Sequence, residues 1–352
     1  MRIKQGFLLI SIFLIACLLL IFPAEAAGGA RNGIGYCLQI LIPSLYPFMV
    51  LAVFVVKCGL SEKMGKPFER FSRRVLKLPG SSAATILMSA IGGYPTGARS
   101  ISALYEEGAI SEKQAVRMLC FCVNAGPAFV ISAVGAGFLR NNQFGVILFV
   151  SQLLASMVLS IICGITAPDE PPVPQVKHPR KRRAADALVE SAADAARAMI
   201  SMCCFVVLFA AFISLLRIFV KEPRTATALS AFLEVTGGCA DLTRLGVPLW
   251  VFSFAIGWGG ICVHFQVFSS VGNIRINLPR FVLFRLLHGI LAALITTQLV
   301  GIFHVNTTVF SNTTAPLTGL ISGTVPGAGA LIVLCVAFIF SLPNKTLEIN
   351  QD

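Results

Sequence analysis

The chain has 352 residues, 56% of them hydrophobic and only 12% charged, with a net charge of +12 and a mean hydropathy of +0.82. Soluble domains carry roughly 25% charged residues, so a water-soluble globule is excluded and a chain that lives in lipid is implied. The positive excess does not mark a nucleic-acid binder, because Lys and Arg sit in loops between apolar runs and not on one face.

A spanning helix needs about 20 predominantly apolar residues, and windows of that kind fall at 6–22, 36–57, 115–138, 143–166, 190–219, 279–303 and 316–341. They predict an all-α polytopic membrane protein with about seven spans. Residues 1–30 read as an uncleaved first helix. Arg2 and Lys4 ahead of an apolar run and Ala24-Glu25-Ala26 also resemble a signal peptide, and the residues before Cys17 weakly resemble a lipoprotein box, so cleavage and lipidation are the alternatives.

A first repeat follows over 31–167. Its loop 57–82 carries Lys57, Lys63, Lys66, Arg70, Arg73, Arg74 and Lys77, which predicts a cytoplasmic position. The apolar stretch 83–105 is then interrupted by Gly92-Gly93-Tyr94-Pro95. Bare backbone is tolerated in lipid only where protein or a cavity satisfies it, so this break predicts a re-entrant hairpin. The helix after it starts near Thr96, offering free N–H groups and a positive helix end to an anion. Tyr94, Thr96, Gly97 and Arg99 are candidate site residues here. The plain alternative is a Gly-lined crossing with Arg99 reaching the headgroups. The next span contains Asn124-Ala125-Gly126-Pro127, where Asn124 could meet a solute beside a proline-freed carbonyl.

Residues 168–186 read as a basic, Pro-rich cytoplasmic linker, 187–342 as a second repeat and 343–352 as a tail. Glu234 is a lone acid in an apolar setting beside Gly237-Gly238, a candidate for a hydroxyl, a proton or Na+. The stretch 248–270 breaks at Gly257-Trp258-Gly259-Gly260 and continues into His264 and Gln266. Gly259, Gly260, His264 and Gln266 complete the candidate set, with Trp258 either stacking on a ligand or anchoring at the interface. Arg285 and His288, spaced i, i+3, are potential partners of Glu234.

The order of elements before the linker recurs after it. A shift of about 165 residues lays Gly92–Pro95 over Gly257–Gly260. Two re-entrant hairpins and an odd number of crossings per half predict inverted repeats, an architecture of secondary transporters. No HExxH, nucleotide-binding P-loop or Ser/His/Asp set occurs, and the eleven cysteines show no metal-ligand or disulfide spacing. An enzyme is therefore not expected, and neither catalytic nor metal residues are assigned.

The run Ile42-Pro43-Ser44-Leu45-Tyr46-Pro47-Phe48, the segment from Gly92 to Arg99, Asn124–Pro127, Glu234-Val235-Thr236-Gly237 and Gly257–Gly260 together resemble the YlbJ-type sporulation integral membrane proteins. These contain nucleoside-recognition Gate domains and are similar to concentrative nucleoside transporters. The resemblance implies two facing hairpins, a spore-forming bacterial host and transport of dipicolinate, a small planar dicarboxylate, across the spore's outer enclosing membrane; the expected location is the bacterial cytoplasmic membrane, crossed several times. The expected function is a secondary transporter or facilitator of a small organic anion, with a nucleoside-like solute or a non-transporting assembly role as alternatives. No cofactor is expected beyond a coupling Na+ or H+. The expected partners are the anion and the bilayer, with no nucleic acid, and a homo-oligomer is left open.

Overall fold

With no water in the bilayer core, a helix satisfies its backbone within its own segment. The computed structural model describes residues 2–168 and 184–303, and among these it contains helices and no strand. Helix α1 (Arg2–Ile21) leaves Phe13 and Leu20 exposed and packs chiefly on α2. Helix α2 (Pro23–Tyr36), a π-helical turn (Cys37–Leu41) and α3 (Ile42–Lys57) then run on as one 35-residue helix. It starts well before the span expected at 36, because the Ala- and Gly-rich first half is too weakly apolar to register as hydropathy. Gly29 and Gly33 are there for packing: a Cβ on either would stand within 3 Å of the Ala210–Ser214 or Val207 backbone and side chains.

Short helices α4 (Leu60–Gly65) and α5 (Glu69–Arg74) lead to α6 (Ser82–Gly92) and α7 (Tyr94–Glu106), which pack against each other across Gly93. At 1.5 Å per residue the 11-residue α6 is only about 17 Å long, roughly half the hydrocarbon core. The pair therefore enters the membrane and returns. Helix α8 (Glu112–Leu119) opens with a Ser111/Gln114 capping box; residues 120–126 are unwound, and a π-helical segment (Ala128–Phe138) completes the crossing. Helix α9 (Asn142–Ile165) follows.

Helix α10 (Ala184–Phe219) runs antiparallel to α2 and α3: Gly29 meets Ala210, the Cys37 thiol faces the Cys203 carbonyl, Tyr46 donates to the Ala192 carbonyl, and Lys57 pairs with Glu190 and Asp194 at 2.9 and 2.6 Å. The two halves thus begin with helices of opposite direction. Next come α11 (Pro223–Leu233) and α12 (Val235–Leu245), packed together across Glu234, then α13 (Leu249–Trp258), α14 (Gly260–Phe268) and α15 (Leu278–Ile302).

The second hairpin is therefore 223–245, and not the 248–270 stretch expected from its glycines. Helix α13 packs on α15, whereas α14 packs on α7, α10 and α11. The Gly259 break is a bend within a crossing, equivalent to the unwound 120–126. Gly93 thus corresponds to Glu234, Gly126 to Gly260 and α9 to α15, a shorter shift than the Gly-over-Gly alignment gave. Among the described residues, five helical segments are long and apolar enough to cross a membrane: 23–57, 142–165, 184–219, 249–268 and 278–302. The expected span 316–341 lies outside the described residues.

Candidate functional site

Each hairpin tip rests on the break of its own half's discontinuous crossing. Gly93, with φ +83°, sits so near Gly126 that a Cβ there would lie 3.0 Å from the Gly93 nitrogen. Side chains rarely adopt that φ, and a close backbone approach needs their absence. In the second half a Cβ on Gly260 (φ +76°) would lie 3.0 Å from the Leu233 carbonyl oxygen and 3.1 Å from the Glu234 backbone. Here the chain is turned by an acid: the Glu234 carboxylate accepts from the Thr236 and Gly237 N–H groups at 2.7 and 2.6 Å and so caps α12. Trp258 fixes this tip, donating to the Phe232 carbonyl at 2.9 Å and stacking on the Phe232 ring at 5.0 Å. It is 4% exposed and thus no interface anchor.

Both tips face one small, partly open cavity of about 40 Å³, whose polar lining is Tyr94, Glu234, Thr236 and Gln266 and whose apolar wall comes from α3, α10 and the Phe129 region. Three residues expected at the site, Tyr94, Glu234 and Gln266, are brought together there. Tyr94 also donates across the halves to the Ile256 carbonyl at 2.6 Å, and Gln266 reaches the Cys262 thiol at 3.4 Å.

The other expected residues serve the surrounding frame. Thr96 bonds back to the Gly92 carbonyl at 2.9 Å. Gly97 admits the Cys122 carbonyl, which a Cβ would meet at 2.1 Å, so protein backbone fills the space beside Gly97. Arg99 is exposed and does not line the cavity, because its place on α7 turns it away from the tip. His264 pairs with the Trp258 carbonyl at 3.1 Å and is wedged edge-on between Trp258 and Phe281. Gly259 (φ +83°) makes the bend. Asn124 donates to the Phe121 carbonyl at 3.0 Å and to Ser156 at 3.2 Å, quieting the backbone of the unwound segment.

Sequence reasoning named Arg285 and His288 only as partners of Glu234, and they are not. Arg285 donates to the Val123 carbonyl in the unwound segment and to His288 Nδ1. A second polar set lies alongside: Gln152 donates to the Ser253 carbonyl and hydroxyl at 2.9 and 3.2 Å, and Thr296 donates to the Ser253 hydroxyl at 2.8 Å. Neither Gln152 nor Ser253 breaks a helix, so no sequence signal but polarity within an apolar run could have found them.

These features define a polytopic helical membrane protein with two half-membrane hairpins and two discontinuous crossings around a small, mainly apolar cavity that holds a few polar side chains. The chain is a homologue of the sporulation integral membrane protein YlbJ of Bacillus subtilis (strain 168), with which it is 24% identical over 312 residues, 77% of this chain and 76% of that protein. The likeness bears out the YlbJ-type resemblance read from the motifs. No protein-family model matches the chain, and no solved structure matches it significantly.

Proposed function

We propose that the chain is a secondary transporter or facilitator that moves a small organic anion, dipicolinate during sporulation, across a bacterial cell membrane. The observation that carries this reading is the convergence of two hairpin tips and two broken crossings, one of each from either half, on a single small cavity. Secondary transporters hold their solutes at such a repeat interface. The sporulation role follows the relative's name, and kinship with nucleoside-recognition Gate domains follows the motifs alone. A 40 Å³ cavity holds about one water, whereas ligand pockets run to roughly 300–1,000 Å³. The hairpins must therefore part before any solute enters, and the described conformation is the closed one. Glu234 keeps carboxylate lone pairs at the cavity after capping α12, which suits a coupling Na+ or H+.

One feature favours a neutral, nucleoside-like solute as the second reading: the cavity lining includes hydrogen-bonding side chains but no Lys or Arg. The test is uptake into proteoliposomes of labelled dipicolinate and uridine under an imposed Na+ or proton gradient. Dipicolinate accumulation above protein-free liposomes, without uridine accumulation, is expected. Uridine alone would replace the anion by the second reading, and accumulation of neither would leave the non-transporting assembly role.

A further inference from the structure

An anion needs a positive charge, and the expected one, Arg99, is outside the cavity. The buried candidate is Arg285. It is 1% exposed, at membrane depth in α15, and among the described residues no carboxylate lies within ion-pair distance of it. Its contacts are neutral acceptors, the Val123 carbonyl and His288 Nδ1, and among the described residues its Nε–H has no acceptor. The Asn124 Oδ1 in the same unwound segment is likewise unpartnered. A guanidinium buried without a counter-charge is costly, and such groups mark solute or ion pathways. A structural clasp on the Val123 carbonyl would explain a hydrogen bond there but not a full charge.

Arg285 lines neither cavity itself; on α15 it follows by five residues Arg280, which lines a second cavity, and it bonds Val123, three residues before Gly126 of the central one. Arg280 and Cys163 line an open basic cavity of about 380 Å³ together with Lys113, Arg117, Arg275 and Thr166. That cavity lies at the end of α9 that leads into the basic linker, the cytoplasmic side by the positive-inside rule.

We propose that Arg285 is the residue that recognises the anionic solute, taking a carboxylate on its free Nε–H, and that the basic cavity around Arg280 is the vestibule through which the anion reaches it. This rests on the anion-transport reading and supplies the charge that the central cavity lacks. A planar carboxylate matches the guanidinium edge in geometry as well as sign.

The test uses the purified full chain and its Arg285→Gln and Arg285→Lys variants, with dipicolinate, phthalate and benzoate as anions and neutral pyridine-2,6-dicarboxamide as control. Arg285→Gln is expected to weaken anion binding at least about tenfold, the scale of one charge-assisted hydrogen bond, and to leave the diamide unchanged. Arg285→Lys should fall between. Unchanged anion binding in Arg285→Gln overturns the proposal while leaving anion transport standing. Binding of phthalate or benzoate but not dipicolinate, lost in Arg285→Gln, supports Arg285 and overturns the dipicolinate reading; no anion binding at all overturns both. Should Arg285→Gln fail to fold, the wild-type chain gives a second measurement. Cys163, which lines the basic cavity, should react faster with an anionic sulfonatoethyl than with a cationic trimethylammonioethyl methanethiosulfonate, followed by peptide mass spectrometry. Equal rates, or no reaction at Cys163, overturn the vestibule.

Discussion

Glu234 does in the second half what Gly93 does in the first, and the difference in chemistry separates their roles. Gly93 turns the chain through a positive φ and offers no side chain. Glu234 turns it in an extended conformation and ties its own carboxylate to the start of the next helix, with 2% of its surface exposed. Two consequences can be separated by substitution. Glu234→Gln keeps one carbonyl oxygen for the cap but removes the charge, so the fold should persist while uptake loses its stimulation by an ion gradient. Glu234→Ala removes the cap as well, a loss of about 1 kcal/mol, and should lower the thermal midpoint along with uptake. Gradient-driven uptake by Glu234→Gln at the wild-type rate would remove Glu234 from ion coupling.

Between elements, the decisive contacts are those where backbone meets backbone. Helix α7 approaches the unwound 120–126 so closely that Gly97 has no room for a methyl group. Gly97→Ala should therefore destabilise by about 1–3 kcal/mol, and Gly35→Ala, where nothing stands within 4 Å, should be neutral or gain up to about 1 kcal/mol of helix propensity. Thermal melts in detergent decide this; equal midpoints for the two variants would remove the close approach. The same contacts explain what was legible in the sequence. The first hairpin was readable because Gly92-Gly93-Tyr94-Pro95 breaks a helix and reverses it in one place. The second was not, because its turn is made by Glu234 while the glycines at 257–260 mark a bend and close approaches to α11 and α15. Glycine signals tight packing, whether or not the chain reverses there. Arg285 was similarly opaque: an arginine in an apolar run reads as costly, but only the fold puts it beside the unwound segment and away from every described acid.

At the scale of the molecule, the antiparallel pair of α2–α3 and α10 forms a long frame. At 1.5 Å per residue each is about 52 Å long, more than the roughly 30 Å core, and the Lys57 ion pairs fasten one end. The hairpins are short by comparison and meet the opposite half through few polar bonds, of which Tyr94 to the Ile256 carbonyl is the best formed. Opening the closed cavity must break that bond. Tyr94→Phe removes it at a cost of about 1 kcal/mol to the closed state, which raises the open population roughly fivefold. Cys122 and Cys239 are fully buried beside the tips, so a membrane-permeant maleimide reaches them only through opening. Their modification should accelerate about fivefold in Tyr94→Phe, while the exposed Cys204 reacts at an unchanged rate. If the buried thiols react no faster, the first hairpin is fixed and access to the cavity depends on the Glu234 hairpin alone.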